Sequence, residues 1–181
     1  KERWTKKVSK TNDDNKTNNL TKILFIIYMI ALFWIIIFKF DIPFSNLGYM
    51  RSINLIPFSE SLIINDKLNF REMIMNAVIF LPLGIYLEIL FKKYSTGRKI
   101  FFVFLISFIC EVSQFILGVG ASDITDIINN MIGGIIGIAI YKVIVKIIKN
   151  DVKAQKIINV IATIGTIFMT LLLSVLFIYN L

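Results

Sequence analysis

Five long, predominantly apolar runs, at residues 23–40, 73–91, 100–117, 127–148 and 157–179, constrain this chain more than any other feature. Each is 18 to 23 residues long. A helix rises about 1.5 Å per residue and a bilayer core is about 30 Å thick, so runs of about 18 or more apolar residues read as membrane-spanning helices. The expected fold class is all-α, a polytopic transmembrane bundle of about five spans. What remains is a basic tail (1–22), a connection (41–72) and short turns, too little for an independent soluble domain. The tail is rich in Lys, Asn, Asp and Thr and is expected to be disordered. Residues 23–148 are expected to form the principal transmembrane domain, with 157–179 as an additional C-terminal span, and the first span reads as a signal anchor.

Orientation follows from the basic residues, which are retained on the cytoplasmic side. Sixteen of the 20 Lys and Arg lie in the tail, in the connection between spans two and three, or around the turn between spans four and five. This places the N-terminus inside and the C-terminus outside. The net charge of +8 is accounted for by topology and contact with anionic lipid, so no nucleic-acid partner is expected. The connection 41–72 repeats Ile-Pro-Phe-Ser at Ile42 and Ile56, and its proline-led turns among apolar residues predict an interfacial or re-entrant segment on the outer side.

The absence of histidine excludes His-ligated zinc, Ser-His and Cys-His nucleophile pairs and histidine proton relays. The single cysteine, Cys110, lies in an apolar run and reads as packing. Candidate chemistry therefore falls to carboxylates and amides. An acid near the middle of a span costs about 2.5–3.5 kcal/mol on insertion scales, so it requires a protein interior or water. Glu111 is such a residue, and Gln114, Ser107 and Gly118 share its helix face. On the fourth span, Asp123, Asp126, Asn130, Gly133 and Gly137 fall within a sector of about 80°. Gly133 and Gly137 form a GxxxG spacing that admits a close neighbour.

Gly118 to Ser122 reads as a tight turn ending in a Ser122 helix cap, making the third and fourth spans antiparallel neighbours. Glu111, Gln114, Asp126 and Asn130 are then expected to converge, with Asp123 at the rim. Asn76, Arg51 and Asn54 could close the same site. Asn129 points off this stripe and receives no role. Glu88, beside Lys92 and Lys93, reads as an interfacial ion-pair residue, and Ala162, Thr166, Thr170 and Ser174 as a packing stripe.

The residues that carry this site also carry a resemblance. Arg51-Ser52-Ile53-Asn54-Leu55-Ile56-Pro57-Phe58, the run from Asn76 through Phe80-Leu81-Pro82-Leu83-Gly84, and Glu111-x-x-Gln114 followed by Asp123-x-x-Asp126-x-x-x-Asn130-x-x-Gly133-x-x-x-Gly137 resemble, in order and spacing, the VanZ-like family of bacterial membrane proteins. Many members carry an arginine between the Gln and the first Asp, whereas Gly118 to Ser122 has none here. The resemblance implies a multi-pass bacterial plasma-membrane protein. The family's named member is associated with resistance to teicoplanin, a lipid-bearing glycopeptide.

The leading expectation is an outer-leaflet-facing polar site that binds or modifies an amphiphilic envelope molecule, lipid-linked or lipoglycopeptide, and so lowers susceptibility to such antibiotics. If the protein is enzymatic, Glu111, Asp123 and Asp126 are the acid/base candidates, with acid/base or metal-assisted transfer or hydrolysis as the class. The two aspartates could also ligate a hard divalent cation. Arg51, Asn54, Asn76, Gln114 and Asn130 would hold the substrate's polar head. The alternatives are a small proton-coupled transporter titrating at Glu111, or a non-enzymatic structural or binding module of the envelope.

Overall fold

The computed structural model describes residues 2–38, 50–58, 63–64, 67–68 and 70–179. In chain order the elements are α1 (Glu2–Phe38), β1 (Met50–Asn54), β2 (Ile63–Ile64), β3 (Lys67–Leu68), α2 (Arg71–Leu90), α3 (Thr96–Leu117), β4 (Val119–Asp123), α4 (Ile124–Ile148) and α5 (Asp151–Tyr179). All five helices are long and apolar enough to cross a membrane, as the five runs predict. This is a membrane protein, helical apart from short strand pairs. The chain divides into two compact units, Ile30–Ile140 and Lys1–Met29 with Tyr141–Leu181.

In the unit Ile30–Ile140, the GxxxG spacing does what its geometry allows. A Cβ at Gly133 would collide with the carbonyl of Ala77, and one at Gly137 with the carbonyl of Leu81, so α4 lies against the backbone of α2. Gly84 makes the reciprocal approach, onto the carbonyl of Gly134. Close backbone approach of this kind replaces side-chain volume with dispersion contact, which matters where lipid offers no hydrophobic drive between helices. Helix α2 runs through Pro82 without interruption. Lys99 in α3 reaches back to Glu88 in α2 at 2.7 Å, and both heads are largely withdrawn from solvent. Glu88 therefore pairs with a buried lysine rather than with the exposed Lys92 and Lys93.

The link from α3 to α4 departs from the expected tight turn. Gly118, at φ 63°, ends α3 in the left-handed region that glycine occupies without a Cβ clash. The next five residues extend as β4, which pairs in parallel with β1 in a register that sets Met50 opposite Val119 and Asn54 opposite Asp123. Ser122 does not cap α4. Its hydroxyl donates to the Glu111 carbonyl at 2.7 Å, and Asp123 takes the cap position, its Oδ1 accepting the Thr125 N–H at 2.7 Å. The strand forms because 50–54 supplies a partner distant in sequence, which local turn signals do not reveal. Strands β2 and β3 pair antiparallel. Residues 41–49, 59–62, 65–66 and 69 lie outside those described, and the expectation of a re-entrant segment falls largely on them.

In the other unit, the expectation of a disordered tail is corrected, because α1 is helical from Glu2. Thr17 and Thr21, on one face of α1, meet Gln155 and Asn159 on α5. The Thr21 hydroxyl donates to Asn159 Oδ1 at 2.8 Å, Gln155 Nε2 donates to Thr21 Oγ1 at 2.7 Å, and Asn159 Nδ2 donates to the Thr17 carbonyl at 3.0 Å. All four side chains are buried. Their partners lie over 130 residues apart in sequence, so composition alone misjudges the segment. On α5 the Thr170 and Ser174 hydroxyls donate to carbonyls of their own helix, to Thr166 and Thr170 in turn.

Candidate functional site

Four of the expected site residues, from three helices, line one cleft of about 260 Å³ in the unit Ile30–Ile140. They are Asn76 of α2, Glu111 and Gln114 of α3 and Asp126 of α4. Arg71 and Glu72, in the first turn of α2, also line it, and Ile35, Ile36, Met75 and Ile79 supply the apolar wall. The site thus has polar groups on one part of its lining and hydrocarbon on the rest, the composition expected of a ligand pocket.

Each helix delivers its residue by simple periodicity. Glu111 and Gln114 are three apart on α3 and face the same way. Glu72, Met75, Asn76 and Ile79 recur at three- and four-residue spacing on α2. Asp126 lies in the first turn of α4, where the helix dipole favours a carboxylate. Asn76 Nδ2 donates to Asp126 Oδ1 at 2.7 Å, tying α2 to α4 at the cleft. Gln114 is 1% exposed; its Nε2 donates to the Ile36 carbonyl of α1 at 2.8 Å, while its Oε1 accepts no hydrogen bond.

Glu111 is 4% exposed, and its Oε2 accepts the backbone N–H of Asp123 at 3.0 Å. Asp123 Oδ2 in turn accepts from Asn54 Nδ2 at 3.2 Å. A carboxylate, a backbone amide, a second carboxylate and an amide thereby run in sequence from α3 through β4 to β1. Asp123 and Asn54 belong to this chain beside the cleft and are not among its lining residues. Thr125 extends the same edge, its Oγ1 accepting the Phe58 N–H at 3.0 Å.

Of the expected site residues, then, Asn76, Glu111, Gln114 and Asp126 come together on the cleft. Asn130 does not line it: fully buried, it donates from Nδ2 to Ser107 Oγ at 2.9 Å and holds α3 to α4. Arg51 pairs through its backbone with Gly120, and its side chain lies outside the described part of the structure. Among the described residues no group of three or more His, Cys, Asp or Glu side chains is placed to hold a metal ion. Sequence reasoning missed Arg71 and Glu72 because the second apolar run starts at Met73. Glu72 stands four residues before Asn76, a same-face spacing that could have flagged it.

The model of the VanZ/LLP1 family matches residues 25–149, a stretch that includes every residue lining the cleft. The chain belongs to the VanZ/LLP1 family. Protein VanZ of Enterococcus faecium is 35% identical over 156 residues, covering 85% of this chain and 91% of that protein. No solved structure matches the chain. The VanZ/LLP1 match covers the three motif groups between residues 51 and 137, and with them both the glycine contacts of α2 with α4 and the Glu111–Asp123 link.

Proposed function

We propose that this VanZ/LLP1 protein lowers susceptibility to lipoglycopeptide antibiotics such as teicoplanin by binding or modifying, at this cleft, the polar head of an amphiphilic envelope molecule. In this reading the protein sits in the bacterial cell membrane with its N-terminus cytoplasmic, and the cleft opens toward the outer leaflet. The single observation that carries it is the meeting of Asn76, Glu111, Gln114 and Asp126, from three separate helices, on one cleft that also has an apolar wall of Ile35, Ile36, Met75 and Ile79. Polar groups within spans are expensive unless they pair inside the bundle or face a water-filled or ligand-filled cavity. An amphiphile matches both parts of the lining, its head on the carboxylates and amides and its chain along Ile35, Ile36, Met75 and Ile79.

The test is teicoplanin susceptibility of cells carrying Glu111→Gln or Asp126→Asn at unchanged protein level. Loss of protection is the expected result. Full protection with both variants removes the cleft from the function.

A second reading, a structural or binding module without its own chemistry, draws on the bond from the Asp123 N–H to Glu111 Oε2, which ties the α3–α4 connection to the bundle. In that case the same substitutions lower the amount of folded protein and its protective effect together. Quantifying folded protein beside susceptibility separates the two.

A further inference from the structure

Carboxylates outnumber cations among the residues that line the cleft. Its lining carries the carboxylates of Glu72, Glu111 and Asp126 and the carbonyl oxygen of Gln114, against one guanidinium, that of Arg71. The Asn76 amide is already committed to Asp126 at 2.7 Å. Gln114 Oε1 is buried and accepts nothing, while the other end of the same amide is anchored to Ile36. A buried acceptor left without a donor costs about 1–3 kcal/mol, so a ligand that supplies one has a specific gain to make there. The formal charge of this lining is negative, which repels phosphate and carboxylate heads and favours a cation in a low-dielectric setting.

We propose that the cleft recognises a protonated primary amine on an amphiphile. A primary ammonium brings three N–H donors on a compact cation. It would give Gln114 Oε1 its hydrogen bond and stand among the carboxylates, while the carbons that bear it run along Ile35, Ile36, Met75 and Ile79. A volume of about 260 Å³ suits an aminoalkyl head and its first carbons. Phosphatidylethanolamine and amine-bearing antibiotics share this group. The inference rests on the cleft being the functional site, and it names the chemistry that site selects.

The experiment is thermal melting of the full chain in phosphatidylcholine nanodiscs titrated with octylammonium, octyltrimethylammonium, N-acetyl-octylamine and octanoate. Octylammonium is expected to raise the melting temperature saturably, with at least tenfold weaker effects from the other three. Glu72→Gln, on a half-buried residue at the start of α2, and Gln114→Leu are each expected to weaken octylammonium at least threefold. Glu72→Gln keeps the measurement readable if Gln114→Leu fails to fold. Equal responses to octylammonium and octanoate, or equal responses of wild type and Glu72→Gln, overturn the proposal. Adding phosphatidylethanolamine in one arm and an amine-bearing lipoglycopeptide in another identifies the source, and competition with octylammonium by either supports the amine class. If cells still lose protection with Glu111→Gln while octylammonium does not bind, the amine inference fails and the proposed function stands.

Discussion

The backbone N–H of Asp123 donates to Glu111 Oε2 at 3.0 Å, so the one carboxylate of α3 also fixes the chain as it leaves β4 for α4. One side chain thereby serves the cleft and the fold. Its two roles are separable, because Oε2 holds the turn while the residue also lines the cleft.

Replacing Glu111 tests that separation. Glu111→Ala leaves the Asp123 N–H without its acceptor and is expected to destabilise by about 1–3 kcal/mol. Glu111→Gln keeps an acceptor oxygen and is expected to lose less than half as much. Melting of both variants in detergent against wild type measures the difference; equal losses would mean that charge, not the hydrogen bond, holds the turn.

The glycines of α4 make a second case. Gly133→Leu or Gly137→Val places side chain where the backbone of α2 already lies and is expected to abolish accumulation of folded protein. A Cβ at Gly165 on α5 would meet nothing within 4 Å, so Gly165→Ala is expected to be neutral or to stabilise by up to about 1 kcal/mol. Size-exclusion profiles of the three variants after mild solubilisation check both statements.

Breaking the Glu88–Lys99 pair is expected to be costly. With Lys99 only 2% exposed, Glu88→Gln leaves a buried ammonium without its counter-charge, a change worth about 3–5 kcal/mol. The double substitution Glu88→Gln with Lys99→Met removes both charges and is expected to recover most of the loss. A double-mutant cycle on melting temperatures decides; additive losses would show that the two heads do not interact.

The Thr21 hub predicts a local effect. Thr21→Val removes the hydroxyl that donates to Asn159 Oδ1 and accepts from Gln155 Nε2, taking a partner from each of two buried amides. Protease sensitivity is expected to rise in α5 and in the first half of α1, with α2 and α3 unchanged. Uniform sensitivity along the chain would contradict that localisation.

The sequence by itself determined five spans, because apolar runs of this length have no other stable disposition, and it determined which polar residues need an interior, because a carboxylate at Glu111 cannot face lipid. It also set Gln114 on the helix face of Glu111, since a three-residue spacing fixes that face without knowledge of neighbours. Only the tertiary structure decided the rest. That Asn130 bonds Ser107 instead of lining the cleft, that Arg71 and Glu72 join it, that Thr17 and Thr21 bury against α5, and that Val119–Asp123 extends as a strand against Met50–Asn54 all depend on partners remote in the chain. Helix periodicity is local and can be read residue by residue. The rotation of one helix against another, and the strand a loop finds to pair with, come from packing of the whole chain.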